Sequence, residues 1–179
     1  MNRAVFLDRD GVINRTIVRD GKPFSPNSLA ELEVSPGIEG LTRLKERGFM
    51  LIVVTNQPNV ARGIQTQADV EEFHRFLLAR VPIDAFRVCY HDDIDNCLCR
   101  KPKPGLLVQA ATEFGIDLSS SYMVGDRWRD IDAGAAAGCR TIWIDYGYND
   151  RGPTTPAAIR VSDLYEAVSW IEKDMETLR

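Results

Sequence analysis

Met50-Leu51-Ile52-Val53-Val54 is an unbroken, largely β-branched apolar run, closed by the turn-forming Thr55-Asn56-Gln57-Pro58. A strand with no polar alternation must be covered on both faces, which parallel sheets flanked by helices achieve. Ala4-Val5-Phe6-Leu7 is a second such run and stops abruptly at Asp8. Shorter strand candidates follow at Phe86 to Tyr90, Tyr122-Met123-Val124 and Thr141-Ile142-Trp143-Ile144.

Amphipathic stretches separate these runs. Pro36 opens one in which Ile38, Leu41 and Leu44 share a face, with Gly48 as its stop. Thr66 is placed to cap another carrying Val70, Phe73 and Leu77, which ends near Pro82. A third follows Pro104 and stops at Gly115, and a small-residue helix runs from Ile131 to Ala137 before Gly138. The last, from about Leu164 to Ile171, is expected to pack on the outside. This alternation predicts a doubly wound, Rossmann-like α/β fold with a parallel sheet, whose ligands bind beyond the carboxyl ends of the strands.

At 179 residues and without repeats, the chain is expected to form one domain spanning residues 1–179. A net charge of -4 supplies no electrostatic reason for a nucleic-acid partner. The apolar run at the N-terminus is too short for a signal peptide, and no stretch approaches the ~20 apolar residues that span a bilayer. A cytoplasmic monomer with no membrane association is the expectation.

The polar clusters fall at the predicted strand ends. Asp8 and Asp10 leave the first strand two positions apart, so their carboxylates can converge on one ligand. One can attack phosphorus while the other moves a proton; the plain alternative is a polar turn. Thr55 and Asn56 end the second strand with a hydroxyl and backbone N–H groups suited to phosphate oxygens, though Thr-Asn is also a common turn pair. In Arg100-Lys101-Pro102-Lys103-Pro104-Gly105 the prolines stiffen a basic loop, which either fixes an ammonium beside phosphate or is merely solvated. Asp126 and Asp130, four apart, suit a hard cation such as Mg²⁺, and Asp130 alternatively caps the helix that follows.

Taken in order from Asp8 to Asp130, these four clusters resemble the haloacid-dehalogenase-type phosphatases. The resemblance implies that Asp8 is the nucleophile and Asp10 the general acid/base, with Thr55 and Lys101 stabilising the phosphoryl group. It implies Mg²⁺ held by Asp126, the Asp8 side chain and the Asp10 carbonyl.

Cys89-Tyr90-His91 and Cys97-Leu98-Cys99 add a C-x-H-x5-C-x-C pattern. Three thiolates and an imidazole make a closed structural zinc set, leaving no position for a reactive water. Such a Zn²⁺ would pin the loop at about residues 89–99, which runs directly into Arg100 and Lys101. The alternative is three buried thiols and an unrelated histidine.

With this loop, the DRDGVIN and VVTNQ…ARG stretches are similar to the heptose 1,7-bisphosphate phosphatases and the related histidinol-phosphate phosphatases. That subgroup implies little or no cap domain and a small phosphorylated metabolite as substrate, with the C7 phosphate of D-glycero-D-manno-heptose 1,7-bisphosphate as the named expectation. Histidinol phosphate or another small phosphomonoester is the alternative. A nucleic-acid 3′-phosphatase and a non-catalytic zinc-stabilised module are further readings. Asn56, Gln57, Arg100 and Arg127 are the expected substrate contacts. The chain departs from the subgroup at Arg15 to Gly21 and at Pro58, both on the side of the non-reacting part of the substrate.

Cys139 reads as an inert buried thiol and His74 as a surface residue. Trp128 either lines the pocket or packs, and Arg62 either meets a second phosphate or is solvated.

Overall fold

The structure, a computed structural model, describes residues 1–177. Its centre is a parallel six-stranded sheet. The strands are β1 (Arg3–Leu7), β4 (Phe49–Asn56), β5 (Ala85–Cys89), β6 (Tyr122–Gly125), β7 (Arg140–Ile144) and β8 (Ile159–Val161), in spatial order β5-β4-β1-β6-β7-β8. Between β1 and β4 the chain adds a small antiparallel hairpin, β2 (Ile17–Arg19) and β3 (Lys22–Phe24). The helices are α1 (Gly40–Glu46), α2 (Gln67–Leu78), α3 (Gly105–Phe114), α4 (Trp128–Ala137) and α5 (Leu164–Thr177).

The uninterrupted apolar strands do what their pattern requires. Alternate residues feed two separate cores: Val5, Leu7, Leu51, Val53 and Val124 face α1, α2 and α5, while Ala4, Phe6, Ile52, Val54 and Met123 face α3 and α4. Emptying one such position, as in Leu51→Ala, removes contacts worth about 2–5 kcal/mol. Thr66 caps α2 through a reciprocal pair with Asp69, and Gly115 and Gly138 close α3 and α4 with left-handed backbone.

The chain starts in the middle of the sheet. β1 pairs with β4 on one side, in register Leu7 with Val53, and with β6 on the other, Leu7 with Val124. The strand order therefore reverses around β1, and its carboxyl end opens into the crevice where ligands of such sheets bind.

Several expectations are corrected. Residues 36–39 form turns, so α1 begins at Gly40; α4 begins at Trp128, and α5 continues to Thr177. His74 is buried, not on the surface: it shares the α2 face of Val70, Phe73 and Leu77 and stacks on Phe86 at 4.0 Å between ring centres. The hairpin and β8 are additions. Among the described residues no helix is long and apolar enough to cross a membrane.

Candidate active site

Asp8 is the first residue beyond β1. Its backbone N–H donates to the Val124 carbonyl at 3.0 Å, and its Oδ1 accepts from the Arg9 N–H at 2.8 Å. Lys101 reaches the same oxygen from across the sheet, 2.9 Å from Nζ. The Lys101 ammonium also meets Asp130 Oδ1 at 2.6 Å and the Val54 carbonyl at 2.7 Å, so its three protons have three acceptors. Burial opposes its charge, but Asp130 and Asp8 outweigh that and hold Lys101 above the usual lysine range.

The loop carrying Lys101 is fixed by Asn56. The Asn56 side-chain amide donates to the Lys101 carbonyl at 3.0 Å and its Oδ1 accepts from the Lys101 N–H at 3.1 Å. Asn56 also lines the cleft above Asp8. Thr55 and Gln57 are both buried. Gln57 Nε2 donates to Asp10 Oδ2 at 2.9 Å and to Thr55 Oγ1 at 2.8 Å. The expectation that Gln57 meets substrate is corrected: β4 turns its amide inward, where it holds Asp10.

Asp126 follows β6. Both its carboxylate oxygens are buried without a hydrogen-bond partner among the described residues. Gly11, at φ 89°, makes room for them, since a Cβ there would overlap the Asp126 carboxylate. Oxygens of Asp8, Asp126 and Asp130 lie within 4.8 Å of one another. Burial, reinforced by the charges of Asp130 and Asp10 and opposed by Lys101, pushes Asp8 up to about 7. Burial and the charges of Asp130 and Asp8, opposed by the nearby Tyr148 hydroxyl and the Arg127 charge, push Asp126 well above the carboxylate range. Hard oxygen donors, two of them orphaned and mutually repelling, fit a divalent cation such as Mg²⁺.

Asp10 sits differently. Burial would raise it, but Arg9, Asn14 and Gln57 outweigh burial and hold its carboxyl below the usual range. Ser25, just after β3, adds a hydroxyl at 2.9 Å from Oδ2.

Cys89, His91, Cys97 and Cys99 gather as expected. Cys99 Sγ lies 3.2 Å from Cys89 Sγ and 3.4 Å from Cys97 Sγ, and His91 Nδ1 lies 3.4 Å from Cys99 Sγ. Tetrahedral zinc at ordinary bond lengths separates sulfurs by about 3.8 Å and sulfur from nitrogen by about 3.5 Å. The four ligands fit a zinc ion.

The acidic floor of Asp8, Asp10, Asp126 and Asp130 is walled by Thr16, Pro23, Phe24 and Ser25 of the hairpin segment. It opens into a wider cleft of about 650 Å³, lined by Arg19, Lys22, Arg62, Arg100, Arg127 and Arg129, with Asp93 and Asp150 as its acidic lining residues. Arg127 and Arg129 line both spaces. Arg100 lines only the wider one, with Nε 2.8 Å from Asp93 Oδ1. Arg62 is paired with Asp92 at that rim. Trp128 lies outside the cleft, packed between the guanidinium groups of Arg129 and Arg151. Cys139 is buried, which pushes its thiol up to about 12 and leaves it inert.

A HAD-hydrolase-like family model matches residues 98–167. D-glycero-beta-D-manno-heptose-1,7-bisphosphate 7-phosphatase of Helicobacter pylori strain J99 is 35% identical over 96% of this chain and 98% of its own length. The Pseudomonas aeruginosa enzyme of the same name is 34% identical, over 94% of this chain and 97% of its own. The chain belongs to the HAD-like heptose-bisphosphate phosphatase family. A solved member, D,D-heptose 1,7-bisphosphate phosphatase from B. bronchiseptica complexed with magnesium and phosphate, superposes with a TM-score of 0.83. It is 29% identical and covers 96% of this chain and 99% of its own.

For a member of the heptose-bisphosphate phosphatase family, sequence reading left four residues of the site out of its assignments. Asp130 was readable as a cation ligand or as a cap, and its Oδ2 does accept the Arg127 N–H at 3.0 Å; the same carboxylate also holds Lys101. Arg9 and Ser25 gave no signal, because only the folded loops bring them onto Asp10. Arg129 lies in the same Gly125-to-Asp130 cluster as Asp126, and its spacing alone does not show that it turns into the cleft.

Proposed function

We propose that this chain removes the C7 phosphate of D-glycero-D-manno-heptose 1,7-bisphosphate through a phospho-Asp8 intermediate. The observation that carries the reading is the buried Asp8–Lys101 contact beside an Asp126 whose oxygens have no partner, under a rim of cations.

Asp8 Oδ1 is held by Arg9 N–H and Lys101, leaving Oδ2 to form the bond to phosphorus as the sugar oxygen departs. Asp10, which the free site holds ionised, gains a proton as the phosphate enters; it gives that proton to the departing oxygen, then takes one from the water that attacks phospho-Asp8, releasing phosphate and restoring the Asp8 carboxylate. Lys101 and the Thr55 hydroxyl offset charge on the phosphoryl oxygens. Asp8, Asp126 and the Asp10 carbonyl would hold Mg²⁺, which when bound supplies the positive charge that lets a carboxylate approach a dianion. Cys89, His91, Cys97 and Cys99 would hold a structural Zn²⁺.

The remote part of the substrate meets Arg127, Arg129 and Arg100. Such a surface favours a second phosphate and disfavours histidinol phosphate, whose remote end is cationic. With this reading goes a monomer of one domain spanning residues 1–179. A reducing cytoplasm would keep the zinc thiolates available.

The test is kcat/KM for the heptose bisphosphate, histidinol phosphate and an oligonucleotide 3′-phosphate, each with and without Mg²⁺. The bisphosphate should lead by about 100-fold or more, the scale of discrimination that a matched polar site supplies, and only with Mg²⁺. Equal feeble rates on all three would overturn the substrate, and unchanged phosphate release by Asp8→Asn would overturn the nucleophile.

A further inference from the structure

Arg9 is wholly buried, next to the acid/base residue; its backbone N–H holds Asp8, but its side chain has no part in the proposed chemistry. The backbone explains how neighbours in sequence come to pair. The Arg9 carbonyl accepts the N–H groups of Ile13 at 2.8 Å and Asn14 at 3.0 Å, so the chain curls back over its own loop. The guanidinium then meets both Asp10 oxygens: Nε and Nη2 lie 3.3 and 3.2 Å from Oδ1, and Nη2 lies 3.0 Å from Oδ2. Phe73 supports it from α2, 5.2 Å from ring centre to guanidinium carbon. A fork that touches both oxygens fixes the plane of a carboxylate, as a single contact does not.

The remaining partners divide unequally. Oδ1 otherwise meets the Asn14 amide N–H at 2.8 Å, so all its contacts are N–H donors that cannot accept a proton. Oδ2 meets Gln57 Nε2 and the Ser25 hydroxyl, each at 2.9 Å. A hydroxyl can rotate and accept instead of donate. Ser25 also lines the cleft above Asp8.

We propose that Arg9 is a positioning residue for acid catalysis: it locks the plane of Asp10 so that Oδ1 stays a permanent acceptor and Oδ2, beside Ser25, is the oxygen that takes up and hands on the proton. This rests on the reading of Asp10 as the general acid. The step moves one proton from Oδ2 to the departing sugar oxygen, and the vacated carboxylate keeps both guanidinium contacts.

The probe is leaving-group dependence in the first turnover, because an alkoxide needs the proton and a nitrophenolate does not. Arg9→Lys and Arg9→Gln are compared with the unaltered chain on an alkyl phosphomonoester and on 4-nitrophenyl phosphate, with melting curves as the check on folding. Release of the alcohol should slow by about 100-fold, the low end of what a positioned acid contributes, with Lys retaining more activity than Gln. Release of nitrophenol should change by less than about threefold, since that step draws nothing from the acid. Equal losses on both substrates, or failure of both variants to fold, would make Arg9 structural and overturn the proposal. Asp10→Asn run alongside separates the two claims: if it also loses equally on both substrates, the assignment of Asp10 falls first and takes this one with it.

Discussion

Lys101 Nζ lies 2.9 Å from the Asp8 carboxylate, with both side chains removed from water and Asp130 on the ammonium's other flank. Lys101→Met keeps the volume and deletes the charge. Three acceptors then lose their donor together, and breaking a buried pair from one side costs about 3–5 kcal/mol. Urea unfolding at pH 8 without Mg²⁺ should show that loss, and kcat should fall by at least about 10²–10³. A stable, active Lys101→Met would separate this lysine from the chemistry.

Proton and metal should compete for the acidic floor. Asp8 is pushed up to about 7 and Asp126 well above the carboxylate range, in each case by burial first. Below pH 7 Asp8 holds a proton that Mg²⁺ has to displace, and the upward shift of Asp126 acts in the same direction. Apparent Mg²⁺ affinity should therefore weaken from pH 8 to pH 6, by about tenfold per unit for each proton released. Calorimetric titration at the two pH values checks the direction; equal affinities would contradict it.

The four residues proposed to hold zinc end two positions before Lys101, so a metal there would share one short loop with the ammonium. Protein purified without added metal should carry about one equivalent of zinc. Cys99→Ser should lower both zinc content and melting temperature. It should also reduce kcat by about 10²-fold, because a displacement of ~1 Å in a catalytic group has that effect. Metal analysis and activity at saturating Mg²⁺ keep the two cations apart. Full activity in zinc-free protein would remove the loop from the mechanism.

What could be read in advance follows from physics local to the chain. The apolar runs of β1 and β4, ending at Asp8 and Thr55, reveal a doubly covered sheet and its ligand-binding edge because burial demands continuity. The hairpin was not anticipated, although Asp20-Gly21, both at positive φ, is a dipeptide suited to turning two strands. His74 was expected on the surface because it is polar, although it lies four residues after Val70 and three before Leu77, the spacing of the buried face of α2. Asp130 is another matter. Its spacing announces a cap within α4, while its bond to Lys101 joins α4 to a loop almost thirty residues earlier, which no local pattern contains.

His74 gives the fold a pH dependence of its own. Burial and the nearby Arg9 charge, opposed by Asp10, depress it from the ordinary 6.5 to about 3. The folded chain keeps it neutral while the unfolded chain protonates below 6.5, so the group's contribution is complete above pH 6.5 and drains away as pH falls toward 3. The slope reaches about 1.4 kcal/mol per pH unit. Urea unfolding at pH 4.5, 5.5 and 6.5 should show this loss, and His74→Gln should flatten it. Parallel curves for the two proteins would assign the acid sensitivity elsewhere.

Arg129 offers the sharpest separation of substrate binding from chemistry. It bonds Asp93 at 2.9 and 3.2 Å, lies over Trp128 and lines both the acidic floor and the wider basic cleft. Among the described cations only Lys101, Arg127 and Arg129 border the floor, and Lys101 is already saturated by acceptors. A phosphate at the far end of the substrate would draw Arg129 into a charge-assisted contact worth about 1.5–3 kcal/mol. Arg129→Ala should then raise KM for the heptose bisphosphate by roughly 10–150-fold with kcat nearly unchanged, and added salt should weaken binding of the unaltered enzyme more than that of the variant. The heptose 7-phosphate, lacking the second anion, should lose little. If both substrates lose kcat alike, Arg129 acts through its 3.4 Å contact with the Lys101 carbonyl, as a brace for the loop rather than a hand on the substrate.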